Sequence, residues 1–415
     1  MNRGRRVRST VWLVVKRLLQ LLVALQLSIV ATLTAVDAWR KRSRPTAEFP
    51  RTPPDPVPVS DGEVTVYTYG EDLYADMLAA IRRARHQVLF ESFIWKGDPV
   101  GEEFKRALID AAARGVEVYA VYDGFANLVV PGRFKRFPPT LQVHEHPVVA
   151  PGWRLFDLRR YGRDHRKILV VDGEVAFVGG YNVGATYATD WRDTHARITG
   201  SAVWDLKNAF VDFWNQHRNP AQPALRDEGA THWEPRIRVH RNVPRQWVFP
   251  IRGMYLEAID RASRYIYLTH GYFMPDHELL RALLSAARRE VDVRLLVPQT
   301  SNHVVADWLS RGFYSTMLRG GIRLFLYRGA MVHAKTATID GRWSTIGTAN
   351  LDRVSLTGNY EVNVEFFDDR LAARMEEIFA ADCGNARELT LEEWSRRPFV
   401  AKFSETVLGP LRPLL

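Results

Sequence analysis

Cysteine is almost missing from this chain: Cys383 stands alone, so neither an intrachain disulfide nor a Cys-rich zinc site can form, and a buried structural thiol is the default reading. Three familiar glycine signatures are also absent. There is no P-loop, no dinucleotide fingerprint and no Gly-x-Ser-x-Gly elbow. Negative charge is scarce at the start, where residues 1–51 hold eleven Lys/Arg against Asp37 and Glu48, or 11 − 2 = +9 of the total +10. The remaining 364 residues carry only +1, and a near-neutral body argues against a nucleic-acid partner, because phosphate-tracking surfaces are basic. Apolar residues at 46% and charged residues at 25% exclude a disordered chain and a polytopic membrane protein. A length of 415 residues suits two or three domains.

One long apolar run is present, from Leu18 to Val36, nineteen residues without a charge between basic clusters. Its length predicts a single transmembrane anchor at the cell membrane, with Trp12 and Trp39 at the interfaces; the alternative is a cleaved signal peptide. Six basic residues precede the run and five follow it, so the positive-inside rule leaves its orientation open. Prolines 45, 50, 53, 54, 56 and 58 then predict an extended spacer. The expected organisation is an anchor over 1–44, a linker over 45–60, and two domains over 61–228 and 229–415, with Asn215 to Pro235 as the seam.

The two domains follow from an internal repeat. DHRKILVVDGEVAFVGGYN and VHAKTATIDGRWSTIGTAN superimpose at an offset of 168 residues, matching His165 with His333, Lys167 with Lys335, Asp172 with Asp340, Asn182 with Asn350 and Asp193 with Glu361. The approaches repeat too, YADMLAAIRRARHQVLFESFIW resembling MYLEAIDRASRYIYLTHGYF, and each is followed by a further amphipathic helix and strand. Both halves read as alternating α/β units. Asp-Gly between apolar runs predicts a tight hairpin turning at Asp172-Gly173 and at Asp340-Gly341, which sets His165 opposite Gly180 and His333 opposite Thr348.

Each hairpin then presents an imidazole, an ammonium and a carboxamide from His165, Lys167 and Asn182, or from His333, Lys335 and Asn350. Two copies make one site, in which the Lys and Asn side chains neutralise phosphodiester oxygens while two imidazoles act in succession. A working His needs an orienting carboxylate, and Asp193 follows His165 by 28 residues, as Glu361 follows His333. Asp172 and Asp340 lie roughly 23 Å along the strand from the histidines and read as turn and buttress residues. His144-x-His146 reads as two ordinary histidines. The insertion Pro147 to Asp164 mixes aromatics with arginines and suits either a segment lying on lipid over the site or a solvated loop.

HRKILVVD and HAKTATID resemble the paired HxKxxxxD signatures of the phospholipase D superfamily, and WRDTHARITGSAV, GYFMPD, GTANLDRVSLTGNYEV and LGPLRPLL resemble its bacterial cardiolipin synthase branch. The resemblance implies two pseudosymmetric α/β domains forming one active site, no metal or other cofactor, and a phosphatidyl-histidine intermediate with His165 as nucleophile and His333 as general acid. Its catalytic set is His165, Lys167, Asp172, His333, Lys335, Asp340, Asp193 and Glu361. The expected activity is a phosphatidyltransferase joining two phosphatidylglycerols into cardiolipin, with phospholipase D-type hydrolysis and a membrane-tethered nuclease as alternatives. This chain departs from the family pattern at Gly347-Thr348, where Gly-Ser is common, at Thr269-His270-Gly271-Tyr272, where TPYF is common, and in having one N-terminal span.

Overall fold

The computed structural model describes residues 12, 16–17, 20–21, 23–36, 48–149 and 157–410. Two eight-stranded mixed sheets dominate it. The first runs Pro56–Val59, Gly62–Tyr67, His195–Thr199, Val175–Gly179, Lys167–Val171, Gln87–Ser92, Glu117–Asp123, Gln142–His146. The second runs Ile237–Asn242, Glu361–Phe367, Trp343–Gly347, Lys335–Ile339, Tyr265–His270, Asp292–Pro298, Arg323–Tyr327, Ala386–Leu389. Seven strands correspond in order and direction, which is the repeat seen in three dimensions; each sheet adds one strand of its own, at opposite edges. The Pro56–Val59 strand corrects the linker expectation, since these residues pair with Gly62–Thr65 instead of acting as a spacer.

The sequence explains the layers. Helices Gly70–Arg83 and Pro99–Ala113 cover the outer face of the first sheet, the second burying Phe104, Ala107, Leu108 and Ala111 at helical spacing. Asp98 caps that helix by accepting from Gly101 N–H at 3.0 Å, and Pro99 stands at its first turn. Pro250–Arg261 and His277–Arg288 cover the second sheet in the same way, with Asp276 as a cap. Between the sheets lie Val203–His217 and Asp369–Gly384, and one core joins both halves, from Ala176, Val178 and Ile198 through Phe210 and Trp214 to Ile346, Val364 and Ile378. The predicted seam is therefore partly structural: Asn215 to His217 close a helix, and Leu225 is buried in that shared core.

The hairpins differ from expectation by one residue. Val171 pairs with Val175 and Ile339 with Trp343, so each loop has three residues. Asp172 (φ 55°) and Gly173 (φ 69°) are both left-handed, as are Asp340 (φ 54°) and Gly341 (φ 71°). The shift removes the predicted pairing of His165 with Gly180 and of His333 with Thr348. It also explains the aspartates. Asp172 accepts from the N–H groups of Arg85, His86 and Gln87 at 2.8–2.9 Å, and Asp340 from those of Ser263, Arg264 and Tyr265 at 2.7–2.9 Å. Each carboxylate thus ties a hairpin to the start of the neighbouring strand, at the opposite end from the histidines. Asp172 and Asp340 are accordingly withdrawn from the catalytic set. Asp172→Asn or Asp340→Asn should cost about 1–3 kcal/mol, as for a lost charge-assisted acceptor. Melting of the purified variants should show it, with specific activity retained in the folded fraction.

Residues 23–36 form a helix. Leu18, Leu19 and Leu22 of the predicted anchor lie outside the described residues, as do Trp39, Pro45, residues 150–156 of the insertion and 411–415. No helix among the described residues is long and apolar enough to cross a membrane. Ile29, Val30 and Leu33 pack with Met274, Leu309 and Leu408, and Gln26 Nε2 donates to the Val407 carbonyl at 3.0 Å.

Candidate active site

Both histidines sit where one half hands its backbone to the other. His165 N–H donates to the Tyr360 carbonyl at 3.0 Å, next to Glu361, and His333 N–H donates to the Arg192 carbonyl at 2.7 Å, next to Asp193. Asp164 bridges Tyr360 in parallel, and Met331–Val332 pairs in parallel with Trp191–Arg192. The strand leading into each His is thereby stitched to the strand leading into the other half's carboxylate.

The consequence overturns the expected pairing. His165 Nδ1 meets Glu361 Oε2 at 3.0 Å, and His333 Nδ1 meets Asp193 Oδ2 at 2.6 Å. Each imidazole is oriented by the half it does not belong to, so neither half alone holds a complete pair. With Nδ1–H donated to a carboxylate, Nε2 is the nitrogen that each ring has left to offer. Lys335 Nζ also lies 2.8 Å from His333 Nδ1; that nitrogen cannot donate to Asp193 and accept from Lys335 at once, and the ionised Asp193 fixes it as the donor.

Gly180 and Thr348, matched in the repeat, serve the carboxylates. A Cβ on Gly180 would stand 2.0 Å from Asp193 Oδ1, so glycine leaves the room that Asp193 occupies. Thr348 instead donates its hydroxyl to Glu361 Oε2 at 2.5 Å, the role a serine would fill there. Arg192 is buried in a two-pronged pair with Asp382, Nε–Oδ1 2.9 Å and Nη2–Oδ2 2.7 Å, which pins the short strand Trp191–Arg192 just before Asp193. Sequence reasoning missed Gly180, Thr348 and Arg192 in these roles. A small or hydroxyl residue 13 positions before each carboxylate was the available signal.

The remaining predicted residues converge. Lys167 and Lys335 are buried, each donating to the carbonyl of the His two residues earlier. Asn182 Oδ1 accepts from Ile94 N–H at 3.0 Å, which leaves its NH₂ as the group it offers, and Asn350 Oδ1 is buried without a hydrogen-bond partner among the described residues. Aromatic walls flank the rings: Phe93 lies 4.6 Å from His165, and Trp191 and Tyr272 lie 5.0 and 6.0 Å from His333. His144 and His146 are elsewhere, side by side on Gln142–His146, and His146 Nε2 meets the Gly162 carbonyl.

Burial and mutual repulsion set the charges. Burial, then Lys167 and Lys335, hold His165 well below the usual imidazole range, and burial with Lys335 pushes His333 down to about 3. Burial brings Lys167 to about 7 and Lys335 to about 8. The carboxylates diverge. Burial pushes Glu361 up to about 8, whereas for Asp193 the burial effect is outweighed by Lys335 and His333, which hold it below the usual range. Burial weakens the hold of these two amines and two imidazoles on their protons, and an anion placed among them strengthens it. The arrangement can bind a phosphodiester between the lysines and asparagines and offer it two Nε2 atoms.

A family model described as "Cardiolipin synthase, PLD-like domain" matches residues 77–214 and 255–383. The major cardiolipin synthase ClsA of Bacillus subtilis (strain 168) is 30% identical over 366 residues, covering 86% of this chain and 76% of that protein. A cardiolipin synthase of Staphylococcus aureus (strain Mu50 / ATCC 700699) is 30% identical over 369 residues, 86% of this chain and 74% of its own. Among solved structures, phosphatidylserine synthase of Haemophilus influenzae Rd KW20 superimposes with a TM-score of 0.65 at 13% identity, covering 85% of this chain and 92% of that one, which is a likeness of fold.

Proposed function

The chain belongs to the cardiolipin synthase family of phospholipase D-like proteins, and from that premise we propose that it is a phosphatidyltransferase that joins two phosphatidylglycerols into cardiolipin and releases glycerol. The crosswise pairing of His165 with Glu361 and His333 with Asp193 is the observation that carries the mechanism.

An ionised carboxylate stabilises an imidazolium, so Asp193 suits His333 to hold and return a proton. Glu361, whose burial favours the neutral acid, leaves His165 a neutral imidazole, which is what a nucleophile must be. The bound phosphodiester, seated against Lys167 and Lys335, restores the cationic form of His333. His165 Nε2 attacks phosphorus; the P–O bond to glycerol breaks, and the leaving oxygen takes the Nε2 proton of His333. A second phosphatidylglycerol enters, its glycerol hydroxyl gives its proton to His333 Nε2, and its oxygen displaces His165 from phosphorus. Atoms balance as two phosphatidylglycerols to one cardiolipin and one glycerol. Lys167, Lys335, Asn182 and Asn350 bear the charge on the non-bridging oxygens throughout.

The same reading places the protein at a membrane by its N-terminal segment, for which the +9 charge around Leu18 to Val36 speaks. Alkaline carbonate should leave it in the membrane pellet; its release would remove the anchor. The chemistry is tested with purified protein in micelles of labelled phosphatidylglycerol, products resolved by mass. Cardiolipin with one glycerol per turnover is the expected result. Phosphatidic acid as the sole lipid product would make it a hydrolase.

A further inference from the structure

The structure exposes apolar side chains at the end of the molecule where His165 lies. The segment after Glu117–Asp123 carries Phe125, Leu128 and Val129 at 55%, 63% and 81% exposure, and Trp247 is 62% exposed. Such large side chains on a water-facing surface mark a place that meets something apolar.

This tip is built, not loose. Asn127 is buried beneath it, donating to the Phe93 and Asp123 carbonyls at 2.8 Å each and accepting from Trp95 N–H at 2.9 Å, while Asp123 Oδ1 accepts from Ala126 N–H at 3.0 Å. Phe93 is the wall against His165, so the tip is braced directly on the site. Arg163 gathers the neighbouring segments. Its guanidinium lies over the Phe125 ring and donates to the carbonyls of Pro147, Val148 and Tyr161. Pro244, three residues before Trp247, lies against Gly162, so Trp247 belongs to the same end.

Charge indicates the occupant. Residues 124–136 contain Arg133, Lys135 and Arg136 and no Asp or Glu; Lys135 pairs with Glu145 at 2.9 Å, which leaves Arg133 and Arg136 as the exposed cations beside the tip. Aliphatic and indole side chains ringed by arginine match the interface of an anionic bilayer, where apolar groups enter the acyl boundary and arginines meet headgroups. At the same end of the second half, helix Val304–Arg311 follows strand Asp292–Pro298, the counterpart of Glu117–Asp123. There Leu309 packs with Ile29, Val30 and Leu33 of the N-terminal helix.

We propose that this end of the protein docks into the interface of an anionic bilayer through the 124–130 tip and Trp247, with Arg133 and Arg136 on the headgroups, so that lipid enters the His165 side of the site directly from the membrane. The inference rests on the transferase reading for its purpose but not for its test. Full-length protein with Cys383→Ser and a single label cysteine, Leu128→Cys or Glu117→Cys, is labelled with an environment-sensitive fluorophore and reconstituted into phosphatidylglycerol-containing vesicles doped with nitroxide lipid. Glu117 begins the strand that ends at the tip, and so reports the opposite end. Quenching at 128 should exceed that at 117 by about fivefold or more and should weaken when phosphatidylglycerol is replaced by a neutral lipid. Equal quenching at the two sites, or more at 117, would overturn the proposal. So would burial of the 128 label that tracks protein concentration without lipid, which would assign the surface to a second copy. As a functional check, Leu128→Ser with Val129→Ser should lower turnover on vesicles about tenfold while micelle-dispersed substrate is turned over within about twofold of wild type. Equal loss on both would count against docking. The quenching measurement needs no turnover, so a failed transferase reading and a failed docking reading give different results.

Discussion

His165→Ala protein is expected to lose at least about 10⁴-fold in turnover on every donor, because it lacks the proposed nucleophile. His333→Ala should lose about 10²- to 10⁴-fold on phosphatidylglycerol, the usual range for a missing proton donor. The difference lies in the leaving group. A nitrophenyl ester departs without protonation, so His333→Ala should recover most of its first step on a phosphatidyl nitrophenol, and His165→Ala should recover none. Release of nitrophenolate in a single turnover checks both. Recovery by His165→Ala instead would exchange the two roles.

Asp193 should share the fate of the ring it touches. Asp193→Asn, which removes the ionised partner of His333, is expected to lose about 10²- to 10⁴-fold on phosphatidylglycerol and to be rescued by the nitrophenyl donor. If Asp193 instead oriented the His of its own half, its loss would follow His165 and no leaving group would restore it. Glu361→Gln should be milder, within about tenfold, because burial already favours the uncharged form of Glu361 and glutamine can accept the same hydrogen bond from His165 Nδ1. Single-turnover rates of the two variants on both donors make the comparison. Asp193 loses more than Glu361 only if the two carboxylates differ in charge as their surroundings dictate.

Much of this was legible in the chain. The 168-residue offset gave the two halves, and helical spacing such as Phe104, Ala107, Leu108 and Ala111 gave the covering layers. His165, Lys167, His333 and Lys335 could be named because a duplicated His-x-Lys is a chemical pattern as well as a sequence one. What a repeat cannot carry is which copy meets which. The 28-residue spacing is the same in both halves, so it marks Asp193 and Glu361 as equivalents and is silent on whether each serves its own His or the other's. That choice is made by the parallel pairing of Met331–Val332 with Trp191–Arg192 and of Asp164 with Tyr360, contacts between segments more than a hundred residues apart. The hairpin register escaped for a local reason. Asp-Gly fits a two-residue loop and a three-residue loop alike, and the three N–H groups offered by residues 85–87 draw Asp172 into the longer one. The exposed tip at Leu128 and Val129 was invisible because an apolar pair in sequence is ordinarily core, and only Asn127 buried beneath it turns it outward.

If one histidine carries the phosphatidyl group while the other moves the proton, the covalent intermediate maps to a single ring. His333→Ala protein, which should form the adduct and resolve it slowly, is mixed with the phosphatidyl nitrophenol, quenched under alkaline conditions that preserve a phosphorus–nitrogen bond, digested, and read by peptide mass. The expected result is one phosphatidyl group per chain on the peptide containing His165, absent when His165→Ala is added. Turnover of the same donor with no adduct on that peptide, or an adduct that survives His165→Ala, would rule out His165 as the nucleophile.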